Sequence, residues 1–156
     1  MILVLDIDGT LADVSHREHY VDKSEPDWDS FFNPTEVEKD KPILEAQDTF
    51  PLLPEAFDEI YFLTGRPESL RDTTTVWLKE HFGIDVGEAD LWMREDGDER
   101  SSVFVKRDFL RDADWLDEDD VVFVDDEEKN LLMMAEFGEP VEASEFWSED
   151  YWEELD

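Results

Sequence analysis

The chain has no cysteine among its 156 residues. That excludes a disulfide framework, a thiolate zinc site and a cysteine nucleophile, and it is compatible with a reducing interior. Positive charge is also scarce: 13 lysines and arginines stand against 46 aspartates and glutamates, for a formal net charge of -33 and a pI near 4.1. Such a surplus repels itself in dilute buffer, whereas about 1 M salt shortens the reach of charge to roughly 3 Å. The acid is spread along the whole chain rather than blocked at one end, so it reads as an adaptation to high salt. No apolar run approaches the length of a membrane span, and the start lacks the basic and apolar regions of a signal peptide. These absences predict a cytoplasmic protein with no membrane partner. Missing too is any glycine-rich loop ending in Gly-Lys-Ser or Gly-Lys-Thr, which leaves no P-loop kinase in these residues.

What remains is enough for a core. An apolar content of 40% with 13% aromatics argues against disorder despite the charge. The length suits one domain over 1–156, burying roughly two thirds of its unfolded surface.

The informative stretch is the first ten residues. Ile2 to Leu5 is an unbroken branched apolar run, the pattern of a strand buried on both faces. It ends in Asp6-Ile7-Asp8-Gly9-Thr10. Two carboxylates at the rim of a core are costly unless a cation meets them. Positions two apart in a strand point the same way, so Asp6 and Asp8 can face one small volume, with Gly9 free to turn sharply. Two carboxylates and an intervening carbonyl suit a hard cation such as magnesium. An acidic turn of ordinary kind gives the same residues.

Along the chain, 11–42 keeps no helical or strand period and reads as a flap, with a short helical turn around Trp28 to Phe32. His16 and His19 in it read as solvated rather than as a metal pair. Arg17 can clamp a substrate phosphate with its guanidinium fork or pair with surface acids. A helix over Ile43 to Phe50 follows, with Pro51 and Pro54 interrupting. A second strand, Glu59 to Leu63, runs into Thr64-Gly65-Arg66-Pro67 and a helix up to Gly83. A hydroxyl at a helix N-terminus would serve a phosphate, though Thr64 as a plain cap predicts the same residue. Then come a short strand at Ala89 to Met93, a polar loop, and a helix from Ser101 or Ser102 toward Trp115 that carries Lys106. The buried run Val121 to Val124 ends, like the first, in an acid pair, Asp125-Asp126. A helix to Phe137 stopped by Gly138, an edge strand from Val141, and an aromatic tail packed back on the domain complete the expectation. Strands alternating with helices imply a parallel α/β sheet whose ligand lies beyond the carboxyl ends of the strands.

The segments DIDGT, FLTGR, Lys106 and VVFVDD, in that order, resemble the four motifs of the haloacid dehalogenase (HAD) superfamily. The resemblance implies a Rossmann-like α/β fold with a central parallel sheet flanked by helices. It also implies roles: Asp6 as nucleophile forming an aspartyl phosphate, Asp8 as general acid and base, Thr64 on the phosphoryl oxygens and Lys106 as charge neutraliser. Mg2+ would be held by Asp6, the Asp8 carbonyl and the Asp125/Asp126 pair. Dehalogenases of the superfamily lack the second aspartate of the first motif, so Asp8 argues for phosphoryl transfer. The spans of about 50 and 40 residues between motifs must also supply core elements, leaving a minimal cap or none.

A closer similarity is to the 3′-phosphatase domain of phage-type polynucleotide kinase/phosphatase. Arg17, eleven residues past Asp6, and Arg66 in TGR fall where that family has arginines. With Gly65 they are the expected substrate-binding residues. The stretch from Trp77 through Gly83 to Arg100 is similar as well. Ser102 departs from the pattern, since that family has an acidic residue four before the lysine. A nucleic-acid 3′-phosphate is therefore the expected substrate, reached along a path of Arg17, Arg66, Arg94, Arg100 and Lys106. A phosphatase of small nucleotides or sugar phosphates, and a non-catalytic module of the same fold, are the alternatives.

Overall fold

The computed structural model describes residues 1–118 and 120–155. Strand β1 (Ile2–Leu5) is the middle of the molecule, and all four of its residues are buried. Because side chains alternate across a strand, Leu3 and Leu5 enter one core cluster with Phe62, Trp77 and Phe146, while Ile2 and Val4 enter another with Leu110, Phe123 and Met134. A helix layer on each face of the sheet is the direct result.

The segment that follows carries more structure than its lack of periodicity suggested. β2 (Ala12–Asp13) pairs antiparallel with β3 (Lys41–Pro42), and between them lie a 3-10 helix at Ser15–Tyr20, α1 (Trp28–Phe31) and α2 (Pro34–Val37). Elements of two to six residues are too short to leave a period in the sequence. α3 (Leu44–Thr49) and α4 (Leu53–Ala56) are joined by a 3-10 turn, and the prolines expected to interrupt this region instead start its pieces. Their missing N–H groups fall where a helix has no acceptor for them.

β4 (Glu59–Pro67) is nine residues long, and α5 (Arg71–Phe82) begins only after a 3-10 turn over Glu68–Leu70. β5 (Leu91–Arg94), α6 (Ser102–Asp112), β6 (Val121–Asp125), α7 (Glu128–Met134), β7 (Glu139–Glu142), α8 (Ala143–Phe146) and α9 (Glu149–Leu155) complete the order. The main sheet runs β5-β4-β1-β6-β7, all parallel. Leu5 of β1 lies level with Phe62 of β4 and Val124 of β6, so three carboxyl ends reach the same edge together.

α7 stops at Met134, four residues before Gly138. Gly138 is needed for another reason: a Cβ there would lie 2.5 Å from the Val121 carbonyl oxygen and 2.8 Å from the Phe123 ring. The aromatic tail packs back as expected. Phe146 and Trp147 are buried, the Trp147 indole donates to the Thr10 carbonyl at 2.9 Å and the Trp152 indole to that of Phe146 at 2.7 Å. No described helix is long and apolar enough to cross a membrane.

Candidate active site

The loop after β1 is tightly wound. The Asp6 N–H still donates to the Val124 carbonyl at 2.9 Å, and the N–H groups of Thr10, Leu11 and Ala12 all turn back onto the Ile7 carbonyl. Gly9 has φ of 82°, a value other residues adopt only at a cost. A Cβ on Gly9 would stand 2.0 Å from Asp126 Oδ2, so the loop passes directly beneath that carboxylate.

Three acids from two strand ends converge here. Asp6, Asp125 and Asp126 each offer an oxygen, and these oxygens lie within 4.8 Å of one another. The Lys106 ammonium, brought by α6, donates to Asp6 Oδ1 at 2.9 Å and to Asp125 Oδ2 at 2.6 Å. Asp125 is fixed further by the Glu127 N–H at 2.9 Å and by the Asn130 amide, 3.3 Å from both its oxygens. The Thr10 hydroxyl donates to Asp6 Oδ2 at 3.2 Å.

Burial pushes the Asp6 carboxyl well above the usual range, with Asp125 and Asp126 adding to the effect and Lys106 opposing it. Asp126 is pushed up to about 6, first by the protein around it and then by Asp125, although a hydrogen bond with Asp6 works the other way. Burial alone would make Lys106 easier to deprotonate, but Asp6 and Asp125 reverse this and raise it. Three carboxylates against one ammonium leave two negative charges on an all-oxygen donor set, which fits one hard divalent cation such as magnesium. The Asp8 side chain is not in this group.

It sits instead in a second, neutral network. Asp8 Oδ1 accepts from Arg66 Nε and Nη2 at 2.9 and 2.6 Å and from Arg17 Nη2 at 3.1 Å. Behind the arginines is Asp40, 2% exposed, which receives Arg17 Nε and Nη2 at 2.9 and 2.8 Å and Arg66 Nη2 at 3.0 Å. Burial would raise the Asp8 carboxyl, but Arg66 and Arg17 outweigh it and hold Asp8 below the usual range. Asp40 goes the other way, because burial outweighs the same two arginines.

Both networks open on one cleft of about 1160 Å³, lined among others by Asp6, Asp8, Thr64, Gly65, Lys106 and Asp126. Arg94, Arg100 and Lys129 line it too, whereas Arg17 and Arg66 do not. The expected positive path therefore needs correcting: these two side chains are fully buried, and their donors are already taken by Asp8, Asp40, the Phe31 carbonyl and the Thr74 hydroxyl. A second correction concerns Thr64. It lies inside β4, seven residues before α5 starts, so no helix N-terminus stands behind it. Its Oγ1 accepts the Arg66 N–H at 3.1 Å. His16 and His19 form no metal pair among the described residues; His16 Nε2 lies 2.9 Å from the Glu36 carbonyl oxygen, and His19 packs on Tyr20.

Sequence reasoning missed Asp40, Thr10 and Asn130. Asp40 sits in an ordinary-looking charged run, Glu36 to Lys41, with nothing to mark it. Asn130 had a signal, as a polar residue on the buried stripe of α7.

The sequence matches the family model of the polynucleotide kinase PNKP phosphatase domain over residues 1–138. No curated protein sequence matches it. Among solved structures it is similar to a chain of the Pnkp1/Rnl/Hen1 complex, with a TM-score of 0.68 and 19% identity over 91% of this chain and 44% of that one. The chain thus spans less than half of that relative. It is also similar to a haloacid dehalogenase-like hydrolase from Streptococcus pneumoniae (TM-score 0.58, 16% identity, 88% of this chain and 86% of the other). A third is the D,D-heptose 1,7-bisphosphate phosphatase of B. bronchiseptica, complexed with magnesium and phosphate (TM-score 0.52, 19% identity, 89% and 78%). With three motif segments on parallel strands, Lys106 brought to them by α6, and a family model covering residues 1–138, the chain belongs to the PNKP phosphatase-domain family of HAD phosphatases.

Proposed function

We propose that the protein removes terminal phosphates, 3′-phosphates in the first instance, from nucleic-acid ends by way of a phosphorylated Asp6. The observation that carries this reading is the meeting of Asp6, Lys106 and the Asp125/Asp126 pair at a cleft that Asp6, Asp8, Lys106 and Asp126 line. The nucleic-acid substrate is supported by the family model and by the similarity to a chain of the Pnkp1/Rnl/Hen1 RNA repair complex.

In this scheme an Asp6 oxygen attacks phosphorus as the bond to the leaving oxygen breaks. Asp8 supplies the proton that the leaving oxygen takes up. In the second half Asp8 removes a proton from water, whose oxygen displaces Asp6 and frees inorganic phosphate. Arg66 and Arg17 aim the Asp8 carboxyl and favour its ionised form, which suits the second half. A phosphate dianion arriving beside it opposes them and raises its proton affinity for the first. Thr64 and the Gly65 backbone border the phosphoryl oxygens, and Lys106 balances charge on Asp6. Asp6, Asp126 and the Asp8 carbonyl would hold Mg2+, with Asp125 beside them. When bound, the cation neutralises the crowded carboxylates and polarises the phosphoryl group.

The test is phosphate release from a 3′-phosphorylated oligonucleotide and from mononucleotides, with Mg2+ and in molar salt. The oligonucleotide is expected to be preferred, and Asp6→Asn to abolish turnover of both. A marked preference for mononucleotides sinks the nucleic-acid reading, and an active Asp6→Asn protein sinks the mechanism.

A further inference from the structure

Only part of the cleft is accounted for by the phosphate chemistry. The wall contributed by α1 is aromatic: Trp28 is 54% exposed, and its ring lies nearly parallel to that of Phe32, 5.8 Å between centroids and 20° between planes. A tryptophan this open forms a ledge inside the cavity that holds Asp6 and Asp8.

The ledge is firmly mounted. The Asp27 side chain caps α1 by accepting from the Ser30 N–H at 3.1 Å and the Ser30 hydroxyl at 2.6 Å. Phe31, buried beneath, packs edge-on against Trp28. Its carbonyl accepts from Arg17 Nη1 at 3.0 Å, and the Arg17 guanidinium covers its ring at 4.3 Å. The same guanidinium reaches Asp8. A group resting on the ledge is thereby held at a fixed offset from the acid that serves the leaving oxygen.

Charge decides what that group is. Asp13, Glu18, Asp29, Asp98, Glu99 and Glu127 all line the cleft that holds the ledge. Arg100 is already paired with Asp98 and Asp108, Arg94 donates to the carbonyls of Gly65 and Asp98, and Lys106 is held by Asp6 and Asp125, which among the described residues leaves Lys129 as the remaining lining cation against these acids. A polyanion gains little there from Coulomb attraction, the term that normally dominates nucleic-acid affinity. A flat, uncharged ring stacked on Trp28 gains apolar burial, which salt does not screen.

Resting on the reading above that the substrate is a nucleic-acid end, we propose that Trp28 and Phe32 form a stacking subsite for the nucleobase of the phosphorylated terminal nucleotide. The enzyme then selects its substrate by the base beside the phosphate more than by the length of the charged strand.

The test compares two 3′-phosphorylated oligonucleotides, one with an ordinary terminal base and one abasic at that nucleotide, using wild type, Trp28→Ala, Trp28→Phe and Phe32→Leu in molar salt with Mg2+. Stacking of one base predicts a wild-type preference of about tenfold to a hundredfold in kcat/KM for the base-bearing substrate. That ratio collapses toward one in Trp28→Ala, falls in Phe32→Leu and is kept in Trp28→Phe. A wild type that hydrolyses both oligonucleotides equally, or a Trp28→Ala protein that keeps the ratio, overturns the subsite and leaves the nucleic-acid reading standing. A wild type that hydrolyses neither while acting on a small phosphate ester overturns both.

Discussion

Asp8 and Asp40 share the guanidiniums of Arg17 and Arg66, and this sharing sets what each acid can do. Asp8 faces the cleft and is held ionised, while Asp40 is sealed behind the arginines and fixes their planes. The motif residues themselves were legible, because DIDGT, TGR and the terminal acid pair lie on short contiguous stretches. Their partners were not: 23 residues separate Arg17 from Asp40 and 100 separate Lys106 from Asp6, and no local pattern encodes such pairs. The metal-type cluster yields a pH prediction at the same scale. Asp126 has its carboxyl pushed up to about 6 in the folded protein, against about 3.9 for a free aspartate. A raised carboxyl contributes stability that is present below the unfolded value and lost as pH rises through the folded one. Without cation the wild type should therefore lose thermal stability between about pH 4 and about pH 6, and Asp126→Asn should lose less. At pH 7 Mg2+ should raise the melting temperature of wild type and not of the variant. Equal pH profiles of the two proteins by calorimetry in EDTA would contradict this.

Among elements, the strands and most helix starts were read closely, and the start of α5 was not. β1 and β6 are runs of buried branched residues whose length and ends the sequence displays. β4 continues past Leu63 through the whole TGRP segment, because pairing of Pro67 with Arg94 of β5 carries the sheet onward across an irregularity. Pro67 thus precedes a 3-10 turn rather than opening α5, and Thr64 loses the helix terminus that its neighbours suggested. The 12–42 segment failed differently: its pieces are held by contacts such as Ala12 with Pro42, which exist only once the fold has formed. Packing of the turn between α7 and β7 against β6 offers a direct check. Gly138→Ala forces a methyl group into the Val121 carbonyl and the Phe123 ring, and overpacking of this kind costs about 1–3 kcal/mol. Urea unfolding in molar salt should show that loss, and a variant as stable as wild type would mean that the turn and the strand can separate at no cost.

The whole molecule is governed by its charge. With a net charge of -33 on 156 residues, self-repulsion opposes the compact state wherever the screening length exceeds the spacing of the charges. That length falls from about 10 Å at 0.1 M to about 3 Å at 1 M salt. Both the melting temperature and turnover of oligonucleotide ends should rise over that interval, and a protein equally stable and active after desalting would refute the reading of its acid as a salt adaptation. The sequence by itself determined the charge, the alternation of strands and helices, the HAD motifs and the sheet edge where they belong, since each is written in composition or in runs of a few residues. Only the tertiary structure decided that Arg17 and Arg66 serve Asp8 rather than line the cleft, that Asp40 seals them in, and that Trp28 stands open beside the acids. Those outcomes depend on which distant side chains reach one another across the finished sheet, and a linear pattern carries no record of such distances.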